Sequence, residues 1–216
     1  MDTVSEHLGA LFDGLLLTVE ITALGFAIAV ALGLPLALAG NSRSPLLRVP
    51  ANGWVALARG VPLLIVIFWI YYAAADKGLF STTAFVAGVL SLGLTGSGYM
   101  AEIYRTALLA VPAGQRESAA AIGLSRLWAF VLVVLPQAVL TAIPPAMNLL
   151  VMLLKGATLI SVIGLADMFY VAKVVAVNEF KPFELYTAAA LLIIGVTLIM
   201  ATLAGLAEHR MSRGQR

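Results

Sequence analysis

The sequence predicts an all-α membrane protein with five transmembrane helices, and its composition and the pattern of its apolar runs lead to this prediction. Of the 216 residues, 62% are hydrophobic and 11% are charged. Soluble proteins average about 45–50% apolar and about 25% charged residues. Several apolar runs reach the roughly 20 residues that a helix needs to cross a bilayer. A soluble fold of this size could not bury so much apolar surface, so the solvent around the chain is predicted to be lipid.

The apolar runs are predicted to form one transmembrane domain that covers residues 1–216. The predicted spans are residues 15–39, 55–75, 83–110, 127–154 and 185–207. The third run is rich in glycine, which lets membrane helices pack closely. The fourth contains Pro136 and the pair Pro144-Pro145, which we expect to break the helix. Residues 158–169 are apolar but too short to cross, so they are predicted to be re-entrant or interfacial.

The arginines predict the orientation of these spans. Every arginine is predicted to belong to one of three segments: a first loop (Arg43, Arg48, Arg59), a docking loop (Arg105, Arg116, Arg126) or the tail (Arg210, Arg213, Arg216). The opposite side carries an acidic N-terminus and lysines. Because cytoplasmic loops are enriched in basic residues, the N-terminus is predicted to lie outside and the C-terminus in the cytoplasm. The acidic N-terminus also lacks the basic leader of a cleavable signal peptide.

A short helix is predicted at about residues 113–123, between the third and fourth spans. Pro112 suits the start of a helix, Gly123 suits the residue just past its end, and Ser125 can cap the next helix. With about two to three turns, this helix cannot cross a bilayer. It is predicted to be a docking element on the cytoplasmic side, although a simple surface loop would have a similar composition.

The same segment carries a recognisable motif. Glu117, Ala119, Ala120 and Gly123, followed by Leu135-Pro136, resemble the EAA motif of type I ABC importer permeases. Ser118 stands where that family usually has alanine, and its small side chain should preserve the docking shape. Further stretches are similar to the polar amino-acid branch, which includes histidine, glutamine and arginine permeases: residues 58–64 (ARGVPLL), 101–105 (AEIYR), 135–138 (LPQA) and 154–155 (LK).

This resemblance implies the type I importer permease fold, in which the short helix is a cytoplasmic coupling helix. Glu117, Ala119, Ala120 and Gly123 would then fit a groove on an ATPase subunit. The implied partners are two cytoplasmic ABC ATPases, a second permease subunit that is identical or paralogous, and an external solute-binding protein. The implied location is a bacterial inner membrane that the chain crosses several times, and the implied cargo is a polar amino acid or a similar solute.

The sequence predicts neither catalysis nor a bound cofactor for this chain. A Walker A loop needs spaced glycines and a Lys-Ser or Lys-Thr pair, and Lys155-Gly156 has neither. The chain has no cysteine, and His7 and His209 lie at opposite ends, so no metal site is expected. ATP and magnesium are expected to be used by the partner ATPase. A net charge of +2 gives no indication of a nucleic-acid partner.

Ionisable residues inside predicted spans are costly and are therefore candidates for function. Glu20 lies in the first span and is a candidate for the substrate pathway, although a structural hydrogen bond to a neighbouring helix would also explain it. Glu102 and Arg105 are three residues apart, so they are predicted to pair on one helical face. A structural anchor is the interpretation that we favour for this pair.

Asn148, Lys155 and Thr158 are the other candidates for the substrate pathway. Transporters place substrate contacts at broken helices, and Asn148 and Lys155 follow the proline pair. Lys155 could bind a substrate carboxylate, or its long side chain could simply reach the outer interface. Relatives commonly have an acidic residue where this chain has Leu149, and Asp-Thr-Ser where it has residues 156–158. These differences favour polar or acidic amino acids over cationic ones.

The alternative is a protein of another class, either a non-transporting membrane scaffold or a subunit of an ATP-independent channel. A channel is expected to show a repeated polar stripe or a filter loop, and neither is evident in the sequence. Neighbouring reading frames that encode an ATPase and a secreted binding protein would distinguish the importer from both.

Overall fold

The computed structural model describes residues 2–73, 76 and 82–213, and every regular element in these ranges is helical. The helices are α1 (Asp2–Gly40), α2 (Pro45–Gly60), α3 (Leu63–Phe68), α4 (Ala84–Ala110), α5 (Ala113–Ala121), α6 (Arg126–Ala129), α7 (Leu135–Ala157), α8 (Met168–Asn178) and α9 (Pro182–Arg213). π-helical turns follow α3 at Trp69–Ala73 and α6 at Phe130–Val134, and a 3₁₀ turn follows α7 at Thr158–Ile163.

The predicted all-α membrane fold is confirmed. Among the described residues, four helical runs are long and apolar enough to cross a membrane. They are Val4–Gly40, Ala84–Ala110, Arg126–Ile163 and Pro182–Thr202. Helices α2 and α3 meet the same criterion only as a pair, and they are bent by 104°. The described part of the chain therefore has four spans, or five if the bent pair counts as one.

The second span differs from the predicted residues 55–75. Residues 55–60 belong to α2, which begins at Pro45, and Arg48 and Arg59 lie on this helix rather than in a loop. Val61 and Pro62 are extended at the bend, with ψ angles of 128° and 134°. Proline disfavours a helical conformation of the residue before it, so the helix cannot continue through this point. The predicted end of the span at residue 75 falls outside the described residues.

The expectation that prolines break the fourth span is wrong. The helical run extends from Arg126 to Ile163, with the pair Pro144-Pro145 inside α7 and Pro136 in its first turn. The π-helical turn before Pro136 changes the hydrogen-bond register where the proline lacks a donor. The run also continues past the predicted end at residue 154, so residues 158–169 do not form a separate re-entrant helix. It ends at Gly164, whose φ is +84°.

Helix α4 lies at the centre of the fold, and glycines allow α1 to pack directly against it. A Cβ atom on Gly25 would lie 2.7 Å from Cβ of Leu92, and one on Gly93 would lie 2.6 Å from Cγ2 of Ile28. Both distances are too short for real atoms, so the two helices can meet here only because these positions lack side chains. This agrees with the close packing predicted for the glycine-rich third span.

Candidate transport cavity and coupling helix

The short helix α5 ends at a left-handed glycine. Gly123 has a φ of +83°, and its N–H donates to the carbonyl of Ala120 at 3.0 Å. The next N–H, of Leu124, donates to the carbonyl of Ala119 at 3.1 Å. Such bonds satisfy carbonyls at a helix end and favour glycine, which adopts positive φ without strain. The side chain of Ser125 accepts from the N–H of Trp128, so the predicted start and end signals are confirmed.

The four motif residues occupy different environments on this segment. Ala119 is buried, whereas Glu117, Ala120 and Gly123 are exposed. Ile122 is 78% exposed at the end of the helix. An exposed apolar side chain beside small residues suits the groove of another protein.

Side-chain hydrogen bonds connect α5 to two membrane helices. The guanidinium of Arg116 donates to the carbonyl of Leu108, near the end of α4, at 3.1 Å. The amide of Gln137 in α7 donates to Oε1 of Gln115 in α5 at 3.3 Å and to the carbonyl of Val133 at 2.9 Å. A displacement of α5 would therefore be passed to both the third and the fourth span.

A cavity of about 550 Å³ lies between α2, α4 and α7. Most of its lining is apolar, but polar and charged side chains from all three helices reach it. They are Arg59, Tyr99, Glu102, Thr106, Thr141 and Asn148. An apolar cavity with a few converging polar groups is the usual form of a small-molecule site.

The charged residues of this cavity have defined neighbours. The guanidinium carbon of Arg59 lies 5.4 Å from the ring centre of Tyr99, a distance at which a cation is attracted to an aromatic ring. Arg105 binds the carboxylate of Glu102 through two nitrogens, with Nε 3.0 Å from Oε2. The predicted pairing of Glu102 with Arg105 is confirmed. Glu102 also lines the cavity. The structural anchor that we favoured for this pair from the sequence did not include a position in a cavity.

Of the residues predicted for the substrate pathway, Asn148 lines the cavity, whereas Glu20, Lys155 and Thr158 do not. Lys155 is exposed. It lies seven residues after Asn148, hence on the same helical face and about 10 Å further along the axis. The hydroxyl of Thr158 donates to the carbonyl of Lys155 at 2.8 Å. Lys155 and Thr158 thus lie together beyond one end of the cavity.

Glu20 projects away from the packed face of α1. It is exposed, whereas Thr18 and Thr22 on the opposite face are buried and bond to backbone carbonyls of their own helix. Counting back from Gly40, the roughly 20 residues that cross a bilayer end at Ile21. If the span begins at Gly40, Glu20 comes directly after its last residue, where a charge is tolerated.

Two features of the structure differ from what the sequence predicts or are not predicted by it. Arg59 was placed in a loop because the bend between α2 and α3 was not foreseen. Asp167 is fully buried and caps α8, since its Oδ1 accepts from the N–H of Tyr170 at 2.8 Å. An acidic residue directly before an apolar helix is a capping pattern and could have indicated this role.

Asp167 also lies where α8 meets α1. The N–H of Met168 donates to Oγ1 of Thr18 at 3.4 Å, and a Cβ on Gly14 would lie 2.7 Å from Cα of Met168. Asp167 follows the end of the fourth span. Burial raises the pKa of its carboxyl to about 6, although hydrogen bonds from the backbone N–H groups of Tyr170 and Phe169 partly oppose this shift.

Within the described ranges, no group of His, Asp and Glu residues could hold a metal ion.

A family model described as "Binding-protein-dependent transport system inner membrane component" matches residues 29–213. The chain belongs to this family. Its members are inner-membrane components of transport systems that depend on a binding protein. The match covers the cavity, the coupling helix and the apolar runs, except for the part of α1 before residue 29.

Three relatives are similar along nearly their whole length. The probable amino-acid permease YxeN of Bacillus subtilis is 33% identical over 208 residues, which are 95% of this chain and 93% of that protein. The octopine transport permease OccQ of Rhizobium meliloti is 33% identical over 211 residues, 93% of this chain and 89% of that protein. The arginine ABC transporter permease ArtQ of Haemophilus influenzae is 33% identical over 218 residues, 98% of each chain.

Solved structures show the same architecture. A chain from a crystal structure of an amino acid ABC transporter with histidines superposes with a TM-score of 0.90, at 32% identity and over 96% of both chains. A chain of the inward-facing MetNI methionine transporter gives a TM-score of 0.81 at 18% identity, over 95% of this chain and 98% of that one. The second likeness concerns the fold alone.

The family places this chain in a defined system. It is a permease component of a type I ABC importer and a multi-pass protein of the inner membrane. It is not itself an enzyme, because ATP hydrolysis in such a system belongs to a separate ATPase subunit. It works with that ATPase and with a solute-binding protein.

Proposed function

We propose that this permease moves a polar amino acid, or a similar solute, from the binding protein into the cytoplasm through the cavity between α2, α4 and α7. The convergence of Arg59, Glu102 and Asn148 on that cavity carries the proposal. A guanidinium and a carboxylate match the two opposite charges of a zwitterionic amino acid, and an amide can accept and donate hydrogen bonds. Relatives named for amino acids, arginine and octopine support the same class of solute.

The walls of the cavity favour neutral polar or acidic amino acids within this class. Leu149 lines the cavity at the position where similar permeases commonly have an acidic residue. Because residue 149 is leucine, Glu102 is the one acidic residue among the described residues that line the cavity. Its charge is already balanced by Arg105. Lys155, on the same face of the fourth span, would attract the carboxylate of an approaching solute.

Helix α5 is proposed to couple this cavity to ATP. Glu117, Ala119, Ala120 and Gly123 would dock into a groove of the ATPase, and the assembly would contain two ATPases and a second permease, identical or paralogous. ATP and magnesium would be bound by the ATPases and not by this chain. ATP binding would draw the coupling helices together and turn the cavity outward, and hydrolysis would restore the inward-facing state.

The proposed orientation has the N-terminus outside and the C-terminus in the cytoplasm. Asn41, at the end of α1, lines a cleft together with Arg116 of α5 and Arg126 of α6. The basic turn after the first span and the coupling helix therefore lie at the same end of the helical bundle. Arginine-rich ends face the cytoplasm, which is also where an ATPase is supplied with ATP.

Transport by the reconstituted system tests this function. The permease, its ATPase and its binding protein are placed in proteoliposomes, and uptake of labelled amino acids is measured with and without ATP. Asn148→Ala and Glu102→Gln are expected to lower uptake, whereas Asn178→Ala, which removes an exposed amide outside the cavity, should not. Uptake without ATP would instead support the channel, and no uptake of any amino acid by an assembled complex would contradict the proposal.

A further inference from the structure

A second cleft, distinct from the transport cavity, opens beside the coupling helix. It has a volume of about 610 Å³ and lies between the end of α1, the end of α4, α5 and the beginning of the fourth span. Its apolar lining residues include Leu38, Leu109 and Phe130, and its polar lining residues are Asn41, Arg116 and Arg126. Among the described residues that line this cleft, none is acidic. The cleft thus combines apolar walls with two positively charged side chains.

We propose that this cleft binds an anionic phospholipid of the cytoplasmic leaflet. The proposal relies on the orientation given under the proposed function, which puts this end of the bundle at the cytoplasmic surface. Basic pockets between membrane helices on that side attract anionic headgroups. A lipid supplies both parts that the cleft needs, namely a phosphate for the arginines and an acyl chain for the apolar walls.

The arginines have donors available for a phosphate. Arg116 donates to the carbonyl of Leu108 at 3.1 Å, and both residues line the cleft. A guanidinium has five N–H donors in a planar fork that matches phosphate oxygens. Arg126 lies in the first turn of α6, and the amide of Asn41 adds a further donor across the opening.

The position of the walls favours lipid over the ATPase as the occupant. Leu38 and Leu109 belong to the terminal turns of two membrane spans and are 42% and 64% exposed. Trp128 directly precedes Ala129, which lines the cleft, and is 56% exposed. Tryptophan is enriched at the boundary between lipid and water. The apolar part of the cleft therefore continues into the lipid-facing surface, whereas the exposed Ile122 of the coupling segment lies outside its lining.

A lipid bound here would contact the coupling helix. Arg116, Ala120 and Leu124 of the coupling segment line the cleft, so the occupant would help to fix the angle of α5 against the spans. Anionic lipid is therefore expected to increase the fraction of ATP hydrolysis that is stimulated by the loaded binding protein.

The experiment measures lipid retention by the purified permease–ATPase complex. Complexes are extracted from membranes, exchanged into mixtures of phosphatidylcholine and phosphatidylglycerol, and examined by native mass spectrometry for bound phosphatidylglycerol. Arg116→Gln and Arg126→Gln are each expected to weaken retention about fivefold, since one arginine near an anionic surface changes affinity by about this factor. Arg48→Gln, which removes an exposed arginine of α2 outside the cleft, is the matched control and should retain lipid as the wild type does.

Several results would overturn the proposal. Equal retention by the wild type and the Arg116→Gln/Arg126→Gln double variant would exclude a lipid site in the cleft, and equal loss in Arg48→Gln would indicate general surface attraction. Dissociation of the ATPase from the double variant with unchanged lipid retention would identify the cleft as a protein contact. Retention is measured without substrate, binding protein or ATP, so its failure leaves the proposed transport function intact, and a failure of transport leaves retention unaffected.

Discussion

Gln137 in the fourth span donates a hydrogen bond of 3.3 Å to the side chain of Gln115 in the coupling helix, 22 residues earlier in the chain. The amide of Gln137 also donates to the carbonyl of Val133 in the preceding helical turn. One side chain therefore connects the docking element to the π-helical turn at Phe130–Val134 and to the span that lines the cavity.

Removal of this bond is predicted to weaken coupling without preventing assembly. Gln137→Leu keeps much of the side-chain volume but removes the amide donor. A hydrogen bond of this kind is worth about 0.5–1.5 kcal/mol, so uptake per ATP hydrolysed is expected to fall about two- to tenfold while basal ATP hydrolysis persists. Gln115→Leu removes only the bond between the two amides and should have an equal or smaller effect, and the double variant should be no worse than Gln137→Leu. Additive losses would show that the two amides act separately.

Gly123→Asp is predicted to impair docking of the ATPase. The Cβ of a substituted residue would meet no atom of this chain within 4 Å, so any obstruction must come from the partner. The φ of +83° also strains side chains, although asparagine and aspartate tolerate this conformation better than alanine does. Membrane insertion should be normal, with reduced co-purification of the ATPase and reduced uptake.

Gly123→Ala and Gly123→Asn separate strain from obstruction. If the partner's surface is close, Gly123→Asn should lose more ATPase than Gly123→Ala despite its lower backbone strain. The reverse order would assign the defect to the turn itself. Wild-type association and uptake in Gly123→Asp would exclude docking at this position.

Helices whose ends are set by neighbouring residues could be predicted from the sequence more accurately than features that depend on distant parts of the chain. The bounds of α4 and α5 follow from local signals, such as the threonine cap at Thr83 and the glycine at residue 123. The bend at Pro62 could not be read from hydropathy, because both of its arms are apolar. Prolines in a membrane helix are also ambiguous, because the pair Pro144-Pro145 lies inside a continuous helix and a π-helical turn directly precedes the helix whose first turn contains Pro136.

The residues of the candidate site also differ in how far the local sequence predicts them. Asn148 could be predicted because a polar side chain inside an apolar run is conspicuous. Arg59 could not, because its position in the cavity depends on the bend and on the packing of α2 against α4. Asp167 was overlooked because its burial results from a contact with α1 about 150 residues earlier in the chain, and nothing in the surrounding sequence indicates that partner.

Reporter fusions are predicted to confirm the orientation. Fusions after Asp76 and within residues 173–181 should report an external location, and fusions after Arg48, Arg116 and Arg213 a cytoplasmic one. The physical reason is that arginine-rich segments remain on the cytoplasmic side. A cytoplasmic signal from a fusion at Lys77 would contradict a bent pair that crosses the membrane and would leave the four continuous runs as the only spans.

Lys155→Met is predicted to weaken uptake because it removes a charge beyond the cavity while keeping much of the apolar stem. A lysine at mid-membrane costs on the order of 2.5–3.5 kcal/mol. Lys155 lies towards the end of its span, where the cost is smaller, and an anionic partner during transport, such as a solute carboxylate, would stabilise it. Assembly and basal ATP hydrolysis should be normal, and Lys155→Arg should be milder. Lys173→Met, at an exposed lysine of α8, is the control. Equal uptake kinetics in wild type and Lys155→Met, at matched membrane levels, would leave Lys155 as an interface anchor.

The last prediction concerns the pH dependence of stability, which Asp167 should determine in part. Burial raises the pKa of its carboxyl to about 6 in the folded protein, from 3.8, and Oδ2 has no hydrogen-bond donor among the described residues. Between pH 3.8 and about pH 6, the carboxyl of Asp167 is therefore protonated in the folded state and ionised in the unfolded state. The free energy of unfolding should therefore fall as the pH rises from about 4 to about 6, by on the order of 2–3 kcal/mol, and then level off.

Asp167→Asn should remove this dependence and keep the cap. An asparagine Oδ1 can still accept from the N–H of Tyr170, and the amide has no charge to bury. Thermal unfolding of the detergent-solubilised protein across this pH range is the measurement. Asp13→Asn, at an exposed position of α1, should show the same pH slope as the wild type. A variant at residue 167 that is less stable than the wild type near pH 7 would show that the ionised carboxylate, despite its burial, stabilises the contact between α8 and α1.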